Sequence, residues 1–266
     1  MDIDLQQVAG LPLAVTAMGE LLLGEGLTER ARSCRYAADS RAVWADPGAT
    51  WQPALGSGER PLYVMHRGVS RGSDAGLLQS SGLRFDVTIL CPGRIGPEYN
   101  KTVGHYHPPS AAGPTYPEVY ELWHGCALYV LQRPGARPGT VAEVRAIPAL
   151  PGDKVLIPPG FGHITVNTGT EPLVMANLVA DGFASLYEAM QTCRGGAYYI
   201  MAAGGKCRPV PNPHYHDLPP LKWLPPTVNP DLGLSDLPLY LAFLNRPSLF
   251  NYLSAPTTRW HEGVVS

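Results

Sequence analysis

Two stretches of this 266-residue chain carry side chains that could bind a metal ion. The first, residues 104–125, contains an H-x-H pair, His105 and His107, followed by Glu118. The second has the spacing G-x5-P-x-G-x2-H-x3-N, in which the histidine is His163. Three imidazoles and one carboxylate form a ligand set for a divalent transition metal that leaves coordination positions open. The joint spacing therefore predicts one metal centre, whereas a single H-x-H pair would be weak evidence.

The alternation of side chains along a β-strand selects the carboxylate of this set. Residues i and i+2 of a strand share a face, so the two histidines of the H-x-H pair point to the same side. On the next predicted strand Glu118 shares a face with Tyr120, and Glu121 lies on the other face. Glu118 is the expected ligand, because six residues separate it from Gly125, where the hairpin must turn.

The elements around these residues are predicted to be short strands. Gly and Pro contribute 29 and 28 residues without repeats or low-complexity segments, which indicates many turns rather than disorder. Apolar runs at regular spacing between such turns are typical of an all-β sandwich or barrel. The predicted strands are 62–68, 83–90, 118–123, 127–132, 141–146, 154–157, 163–167 and 173–179. A helix is predicted at 28–42, with Thr28 as its cap, and the insert 108–115 is predicted to lengthen a loop at the barrel mouth.

Composition and charge argue against several kinds of partner. The formal net charge is −2 and no basic run occurs, so neither nucleic acid nor an acidic membrane surface is expected to bind. No apolar run reaches the length of a membrane span, and the amino terminus lacks the basic region of a signal peptide. The five cysteines form no C-x-x-C pair and are odd in number, which favours a reduced protein. We therefore expect a cytoplasmic protein.

A change in composition divides the chain into two predicted regions. Residues 1–206 are expected to form the barrel with amino-terminal strands, and residues 207–266 a Pro-rich carboxy-terminal extension. The extension contains an apolar stretch at 237–253, which we expect to pack on the barrel or on a partner subunit. It also contains a second H-x-H pair, His214 and His216, which has no nearby partner with ligand spacing.

The segment from Thr88 to Tyr120 resembles one branch of the cupins, the cupin-type glucose-6-phosphate isomerases of archaea and some bacteria. The shared pattern is T-x-L-x-P-G, G-x-E, T-x-G-H-x-H and E-x-Y, and residues 158–167 continue it with P-P-x3-H-x3-N. The resemblance implies an all-β cupin double-stranded β-helix, or jelly-roll, barrel with a few short helices. It also implies metal-dependent interconversion of glucose 6-phosphate and fructose 6-phosphate, and a homodimer.

The resemblance further implies roles for individual residues. The metal ligands of the family fall on His105, His107, Glu118 and His163. One divalent metal is expected per chain, Fe²⁺ or Mn²⁺, with Zn²⁺ and Ni²⁺ as alternatives. The expected substrate contacts are Thr88, Thr102, Gly104, Tyr120, Tyr63 and Tyr187. Glu118 and Tyr120 are the expected catalytic residues. Val103 occupies a position that is often Lys or Pro in relatives, so a charged phosphate contact is expected to be missing there.

Two other functions remain open from the sequence. An iron-dependent dioxygenase can use the same three-His, one-Glu ligand set, and a cupin can also be a sugar-binding protein without activity. The polar inward-facing residues Thr88, Thr102 and Tyr120 favour a sugar phosphate, because a dioxygenase for aromatic substrates needs an apolar pocket. The complete ligand set favours an enzyme over a sensory protein. Hydrogen transfer through an enediolate with Glu118 as base and a direct hydride shift both remain open.

Overall fold

The computed structural model describes residues 2–56 and 59–257. In these residues the chain has the cupin double-stranded β-helix predicted from the sequence. A six-stranded and a four-stranded sheet face each other across a shared core. Smaller sheets of three, five and two strands surround them. Among the helices of the described residues, none has the length and hydrophobicity needed to span a bilayer.

The described residues form twenty strands and six short α-helices. The strands are β1 (Ile3–Asp4), β2 (Leu13–Val15), β3 (Leu21–Leu23), β4 (Leu27–Thr28), β5 (Ala31–Arg35), β6 (Trp51–Pro53), β7 (Tyr63–Arg67), β8 (Ser70–Arg71), β9 (Leu83–Leu90), β10 (Gly93–Ile95), β11 (Glu98–Tyr99), β12 (Glu118–His124), β13 (Ala127–Pro134), β14 (Val141–Ala149), β15 (Lys154–Ile157), β16 (Gly162–Asn167), β17 (Leu173–Ala180), β18 (Tyr198–Ala203), β19 (Lys206–Pro211) and β20 (Leu221–Trp223). The helices are α1 (Gln6–Ala9), α2 (Ala37–Ser40), α3 (Ala75–Ser80), α4 (Glu188–Thr192), α5 (Leu239–Asn245) and α6 (Asn251–Ser254), with 3-10 turns at Arg41–Val43, Pro230–Leu232 and Pro247–Phe250.

The six-stranded sheet, in the order β15-β12-β17-β9-β7-β5, is covered on both faces. Its inner face packs against β13 and β14 through residues such as Leu122, Met175 and Tyr129. Its outer face is covered by the amino-terminal strands and the carboxy-terminal helices, as where Leu13 and Tyr240 join Phe85 in one cluster. Because both faces of β17 are buried, this strand is a nearly continuous apolar run and does not alternate with polar residues.

The helix predicted at residues 28–42 is wrong. Residues 31–35 of this segment form the edge strand β5, which pairs antiparallel with β7 and places Arg35 opposite Tyr63. Only Ala37–Ser40 and the following 3-10 turn are helical. Intrinsic helix propensity is a weak tendency that tertiary pairing overrides, and here the exposed edge of β7 provides a partner that the local sequence does not reveal.

The carboxy-terminal extension continues the sheets of the barrel. The hairpin of β18 and β19 spans residues 198–211, and β20 adds a parallel strand to β14 with Leu221 opposite Val144. Between these strands, His216 of the second H-x-H pair forms an isolated bridge with Thr140, away from the first pair. Residues 258–266 of the extension lie outside the described residues.

Helix α5 of the extension covers the back of the strand that carries Glu118. The ring of Tyr240 stands edge-on to Phe85 at 5.0 Å in the outer core. The backbone amide of Leu239 donates a 2.9 Å hydrogen bond to the carboxylate of Glu121 in β12. The apolar stretch of the extension therefore packs, in the described residues, on its own barrel.

Candidate metal centre

The four predicted ligands meet where β12 begins. Glu118 is the first residue of β12, and His163 lies in β16 of the opposite sheet. The amide of His105 donates to the carbonyl of His163 at 3.3 Å, and the amide of His163 donates back to His105 at 3.1 Å. As a result, ligand atoms of His105, His107, Glu118 and His163 all lie within 4.8 Å of one another.

The distances between these atoms fit a coordination sphere. The Nε2 atoms of His105 and His107 are 3.2 Å apart, and His163 Nε2 and Glu118 Oε2 are 3.2 Å apart. His107 Nε2 lies 3.5 Å from the same carboxylate oxygen. Metal–ligand bonds of about 2.1 Å give ligand–ligand edges of about 3.0 Å in an octahedron and about 3.4 Å in a tetrahedron. The side chains are thus spaced as ligands of one ion.

Two hydrogen bonds orient the ligands from behind. His107 Nδ1 donates to the carbonyl of Tyr116 at 2.8 Å, which leaves the lone pair of its Nε2 facing the centre. Asn177 Nδ2 donates to Glu118 Oε1 at 2.7 Å. The other carboxylate oxygen, Oε2, is buried and accepts no hydrogen bond within the described residues. Lone pairs that converge on one point are suited to a cation, and such supporting partners are typical of metal sites.

The protonation states also suit metal binding. Burial lowers the pKa of His105 well below its ordinary value, and the nearby His163, His107 and Arg67 lower it further. Burial lowers the pKa of His107 as well, although Glu118 opposes this. These two imidazoles are therefore neutral at pH 7, which is the form that binds metals. Burial would raise the pKa of Glu118, but the neighbouring histidines outweigh it and lower it, so the carboxylate is ionised.

Tyr120 places a neutral hydroxyl beside the ligands. Its oxygen is 3.1 Å from His163 Nε2. Burial raises the pKa of Tyr120 well above its ordinary value, and the negative charge of Glu118 raises it further. The phenol therefore keeps its proton over the physiological pH range and can donate a hydrogen bond.

A polar cavity of the inner face opens onto the centre. His105, His107 and Glu118 line it together with three of the predicted contacts, Thr88, Tyr120 and Tyr187. The ring of Tyr187 packs 5.4 Å from that of His105. The remaining residues that line this cavity are Met65, Arg67, Arg84, Asp86, Asn177, Val179, Phe183 and Ser185.

The other three predicted contacts lie behind this cavity. The hydroxyl of Thr102 accepts a hydrogen bond from the amide of Thr165 at 3.0 Å. Gly104 has a φ of +78°, and a Cβ there would collide with Ile164, so this position requires glycine for backbone reasons. The hydroxyl of Tyr63 faces the amide of Val103 at 3.4 Å, in a neighbouring cavity.

The charged residues of the cavity were missed from the sequence. Arg84 and Asp86 precede Thr88 in β9 by four and two residues, so they share its inner face. Arg67 follows Tyr63 in β7 by four residues, so these two side chains also share a face. The alternation that selects Glu118 could have found all three. Both strands, however, are buried on both sides, so their apolar pattern does not distinguish the faces.

The two arginines of the cavity differ in their partners. Arg84 is paired with Asp86 at 2.9 Å and with Asp181 at 3.1 Å. Arg67 instead donates to Ser33 Oγ at 2.7 Å and lies 3.4 Å from the thioether of Met65. The cavity therefore contains one neutralised guanidinium and one whose partners are uncharged.

Aromatic side chains cover the centre on one side. The rings of Tyr116 and Phe183 are stacked at 5.1 Å with an interplanar angle of 6°, and Phe183 also lies 4.7 Å from the ring of His107. Tyr116 follows the insert, whose ends are joined by a bridge between Pro109 and Thr115. The insert thus holds an apolar cover against a metal ligand.

The family comparison matches this architecture. The family described as glucose-6-phosphate isomerase (GPI) matches residues 34–216, which contain all four ligands and the cavity. The chain belongs to this family. The resemblance to the cupin-type isomerases noted in the sequence is thereby confirmed.

Individual relatives match over part of their length. Glucose-6-phosphate isomerase of Pyrococcus abyssi is 34% identical over 133 residues, covering 50% of this chain and 65% of the relative. The enzyme of Thermococcus gammatolerans is 33% identical with the same coverage. The one of Pyrococcus furiosus is 27% identical over 191 residues, covering 71% of this chain and 92% of the relative. The chain thus spans slightly less than two thirds of the first two relatives.

Proposed function

We propose that this chain is a metal-dependent aldose–ketose isomerase that interconverts glucose 6-phosphate and fructose 6-phosphate. The observation that carries the proposal is the open face of the centre. Three imidazoles and one carboxylate converge there and border a polar cavity, in a chain of the glucose-6-phosphate isomerase family. The proposal includes a cytoplasmic location and assembly as a homodimer.

The proposed ligands of the metal are His105, His107, Glu118 and His163. Fe²⁺ or Mn²⁺ is the proposed ion, and Zn²⁺ and Ni²⁺ are the alternatives to be tested. When bound, a divalent ion supplies Lewis acidity that polarises the oxygens on C1 and C2 of the sugar phosphate. These are the carbons between which the hydrogen moves.

Glu118 is the proposed base for the proton transfer. Its carboxylate is ionised and buried; Oε2 lies 3.2 Å from His163 Nε2, and Asn177 holds Oε1. If it is held only loosely by the metal, the carboxylate would take a proton from C2 of the aldose and return it to C1 by way of an enediolate, while the hydroxyl proton of O2 passes to O1. Tyr120 donates a hydrogen bond to a sugar oxygen on the same side, since its phenol is neutral. A direct hydride shift would need no base and remains the alternative route.

Substrate hydroxyl groups have several partners in the cavity. Thr88 and Tyr187 offer hydroxyls, and Asn177 an amide, along the inner face next to the centre. The stack of Tyr116 and Phe183 excludes water from the side of His107. Exclusion of water protects a reactive enediolate and strengthens the electrostatic interactions around it.

A coupled assay tests the proposal. Conversion of fructose 6-phosphate is followed through oxidation of the glucose 6-phosphate formed, before chelation, after chelation, and after addition of Fe²⁺, Mn²⁺, Zn²⁺ or Ni²⁺. We expect activity to disappear with the metal and to return with at least one ion. Full activity of metal-free protein would contradict the mechanism. Oxygen consumption with an aromatic substrate would favour a dioxygenase, and sugar-phosphate binding without turnover would favour a binding protein.

Isotope exchange separates the two routes of hydrogen transfer. With Glu118 as base, the transferred proton can exchange with solvent, so turnover in deuterated water introduces deuterium at the reacting carbon. A hydride shift moves the hydrogen without exchange. Deuterium in the sugar phosphate produced by the parent protein, detected by mass spectrometry, therefore supports the role given to Glu118. Complete absence of deuterium supports the hydride shift.

A further inference from the structure

We infer that Arg35 binds the phosphate group of the substrate, at the end of the inner face that lies away from the metal ligands. This inference rests on the proposed function, because it takes the ligand to be a sugar phosphate. Arg35 is the last residue of the edge strand β5, and its register opposite Tyr63 places it at one end of the sheet. It falls in the segment for which the sequence pattern predicts a helix, so the pattern alone does not bring it to the site.

Arg35 lies in a cavity next to that of the metal ligands. Its lining residues are Arg35, Asp39, Val103, Tyr187 and Gln191. Tyr187 lines both cavities, and its ring packs against His105. A ligand that contacts the metal ligands on one side of Tyr187 can therefore extend to Arg35 on the other.

Hydroxyl and amide donors suited to an anion lie beside Arg35, together with one carboxylate, Asp39. Its guanidinium group is within hydrogen-bonding reach of the hydroxyls of Tyr63 and Tyr187. The amide of Val103 faces the hydroxyl of Tyr63 at 3.4 Å, a long contact that a better acceptor can replace. Asp39, the acidic residue of this cavity, accepts a 2.9 Å hydrogen bond from the amide of Tyr36. A guanidinium with hydroxyls and an amide beside it matches the oxygens of a phosphate group.

The protonation of Tyr63 is consistent with this arrangement. Burial raises the pKa of Tyr63 to about 12, so its hydroxyl remains a donor at pH 7. The position of Val103 gives a second argument. The sequence leaves this site without a charged side chain next to Gly104, and the fold brings the charge of Arg35 into the same cavity.

Arg67 is the competing candidate, and its place in the sheet argues against it. Arg67 is four residues beyond Tyr63 in β7, about 13 Å along the strand. It lines the cavity of the metal ligands themselves, together with His105, His107 and Glu118. The reacting carbons C1 and C2 belong at the metal ligands, and the phosphate is carried at the opposite end of the sugar, on C6. The geometry therefore assigns the phosphate to Arg35.

The test compares four variants of the metal-loaded protein: Arg35→Gln, Arg35→Lys, Arg67→Gln and Arg32→Gln. Arg32 is exposed and lies on the opposite face of β5, so it is the matched control. The measurements are kcat and KM for fructose 6-phosphate, the inhibition constant of inorganic phosphate, and the binding of inorganic phosphate by calorimetry. Metal content and melting temperature check that each variant is folded.

We expect Arg35→Gln to raise both KM and the phosphate inhibition constant by about tenfold or more, which is the effect of losing a charge-assisted hydrogen bond. The loss should fall more on KM than on kcat, Arg35→Lys should lie between, and Arg32→Gln should match the parent. An unchanged phosphate constant in a folded, metal-loaded Arg35→Gln protein would overturn the inference, as would a loss seen with Arg67→Gln alone. If the parent shows no isomerase activity but binds phosphate through Arg35, the anion site stands and the proposed reaction does not.

Discussion

The ligand residues of the centre lie close together, and three of the four are buried, while His105 is half-buried. His163 and Glu118 are 2% and 3% exposed, and His107 is 4% exposed. With one ligand removed, the remaining three residues hold the ion more weakly. Substitution of one ligand can therefore show its contribution to metal binding separately from any contribution to the fold.

Removing one imidazole should remove the metal while the barrel remains. We expect His105→Ala and His163→Ala to lose bound metal and at least several orders of magnitude in kcat. Elemental analysis and the coupled assay measure these losses, and circular dichroism checks the fold. The contradictory outcome is a folded, metal-free variant with the activity of the parent.

Glu118 and Glu121 offer a matched pair on opposite faces of β12. Glu118→Gln should cost orders of magnitude in kcat, because the amide can neither act as base nor balance the charge of the metal. Glu121→Gln should retain metal and turnover, since this carboxylate points to the outer core. Equal losses of kcat in both variants would show that the two faces are assigned wrongly.

The two variants should also differ in stability, and here Glu121→Gln should be the more strongly affected. Glu121 accepts hydrogen bonds from Lys154 at 2.9 Å, from the Trp123 indole at 2.9 Å and from the amide of Leu239. Its replacement leaves the ammonium group of Lys154 buried without its counter-ion, at a cost of about 3 kcal/mol. We expect a lower melting temperature for Glu121→Gln than for Glu118→Gln, measured on metal-free proteins.

At the scale of single elements, spacing predicted the strands well and the edges of the sheet poorly. The strands at 83–90, 118–123 and 154–157 were correct because each is an apolar run bounded by Gly or Pro. Residues 28–42 were wrong because an edge strand is decided by its neighbour, here β7. The metal ligands could be predicted from spacing. Arg35 could not, because it lies in an edge strand that the local sequence does not reveal. Arg67 was missed because the apolar pattern of β7 does not distinguish the two faces of that strand.

An ion pair between Glu143 of β14 and Lys222 of β20 joins these two strands at 3.1 Å. Burial alone would raise the pKa of this carboxyl, but hydrogen bonds from Arg145 and Lys222 lower it to about 2. Its pKa is lower in the folded than in the unfolded state, so its contribution to stability is present above pH 4.5, the ordinary value, and is lost as the pH falls toward 2.

We therefore predict a pH-dependent effect of Glu143→Gln. The variant should melt below the parent at pH 7, and the gap should narrow as the pH falls below about 4.5, because the parent then loses the same interaction. Thermal unfolding at a series of pH values measures this gap. A gap that is constant across the series would contradict the assigned pKa, and Asp231→Asn, on an exposed turn, is the control.

At the scale of the whole molecule, the carboxy-terminal extension completes the outer core of the barrel. Tyr240, Phe243 and Phe250 are fully buried in the cluster that also contains Phe85 and Trp123. Removal of the extension would expose the outer face of the six-stranded sheet to water. A homodimer must therefore use other surfaces, or parts of the extension that remain exposed, such as Trp223 in β20.

Truncation after Lys206 should lower the melting temperature strongly, because it removes both β20 and the helices of the outer core. Sedimentation of the full-length chain at micromolar concentration tests the proposed homodimer, and a monomer there would contradict it. If the truncated protein stays folded and dimeric, the extension does not form the interface. If it becomes a monomer with its metal retained, the extension does.

The order of strands in the six-stranded sheet also governs how the protein folds. β12 lies between β15 and β17, and β9 pairs with β17, so neighbours in the sheet are far apart in the chain. Such long-range pairing makes folding slow. The centre also needs His163, which pairs with Leu131 of β13 within the four-stranded sheet, so the ligands come together only when both sheets are in place. Bound metal should accordingly slow unfolding and leave the refolding rate nearly unchanged. The ion then stabilises the folded barrel kinetically and does not speed its folding.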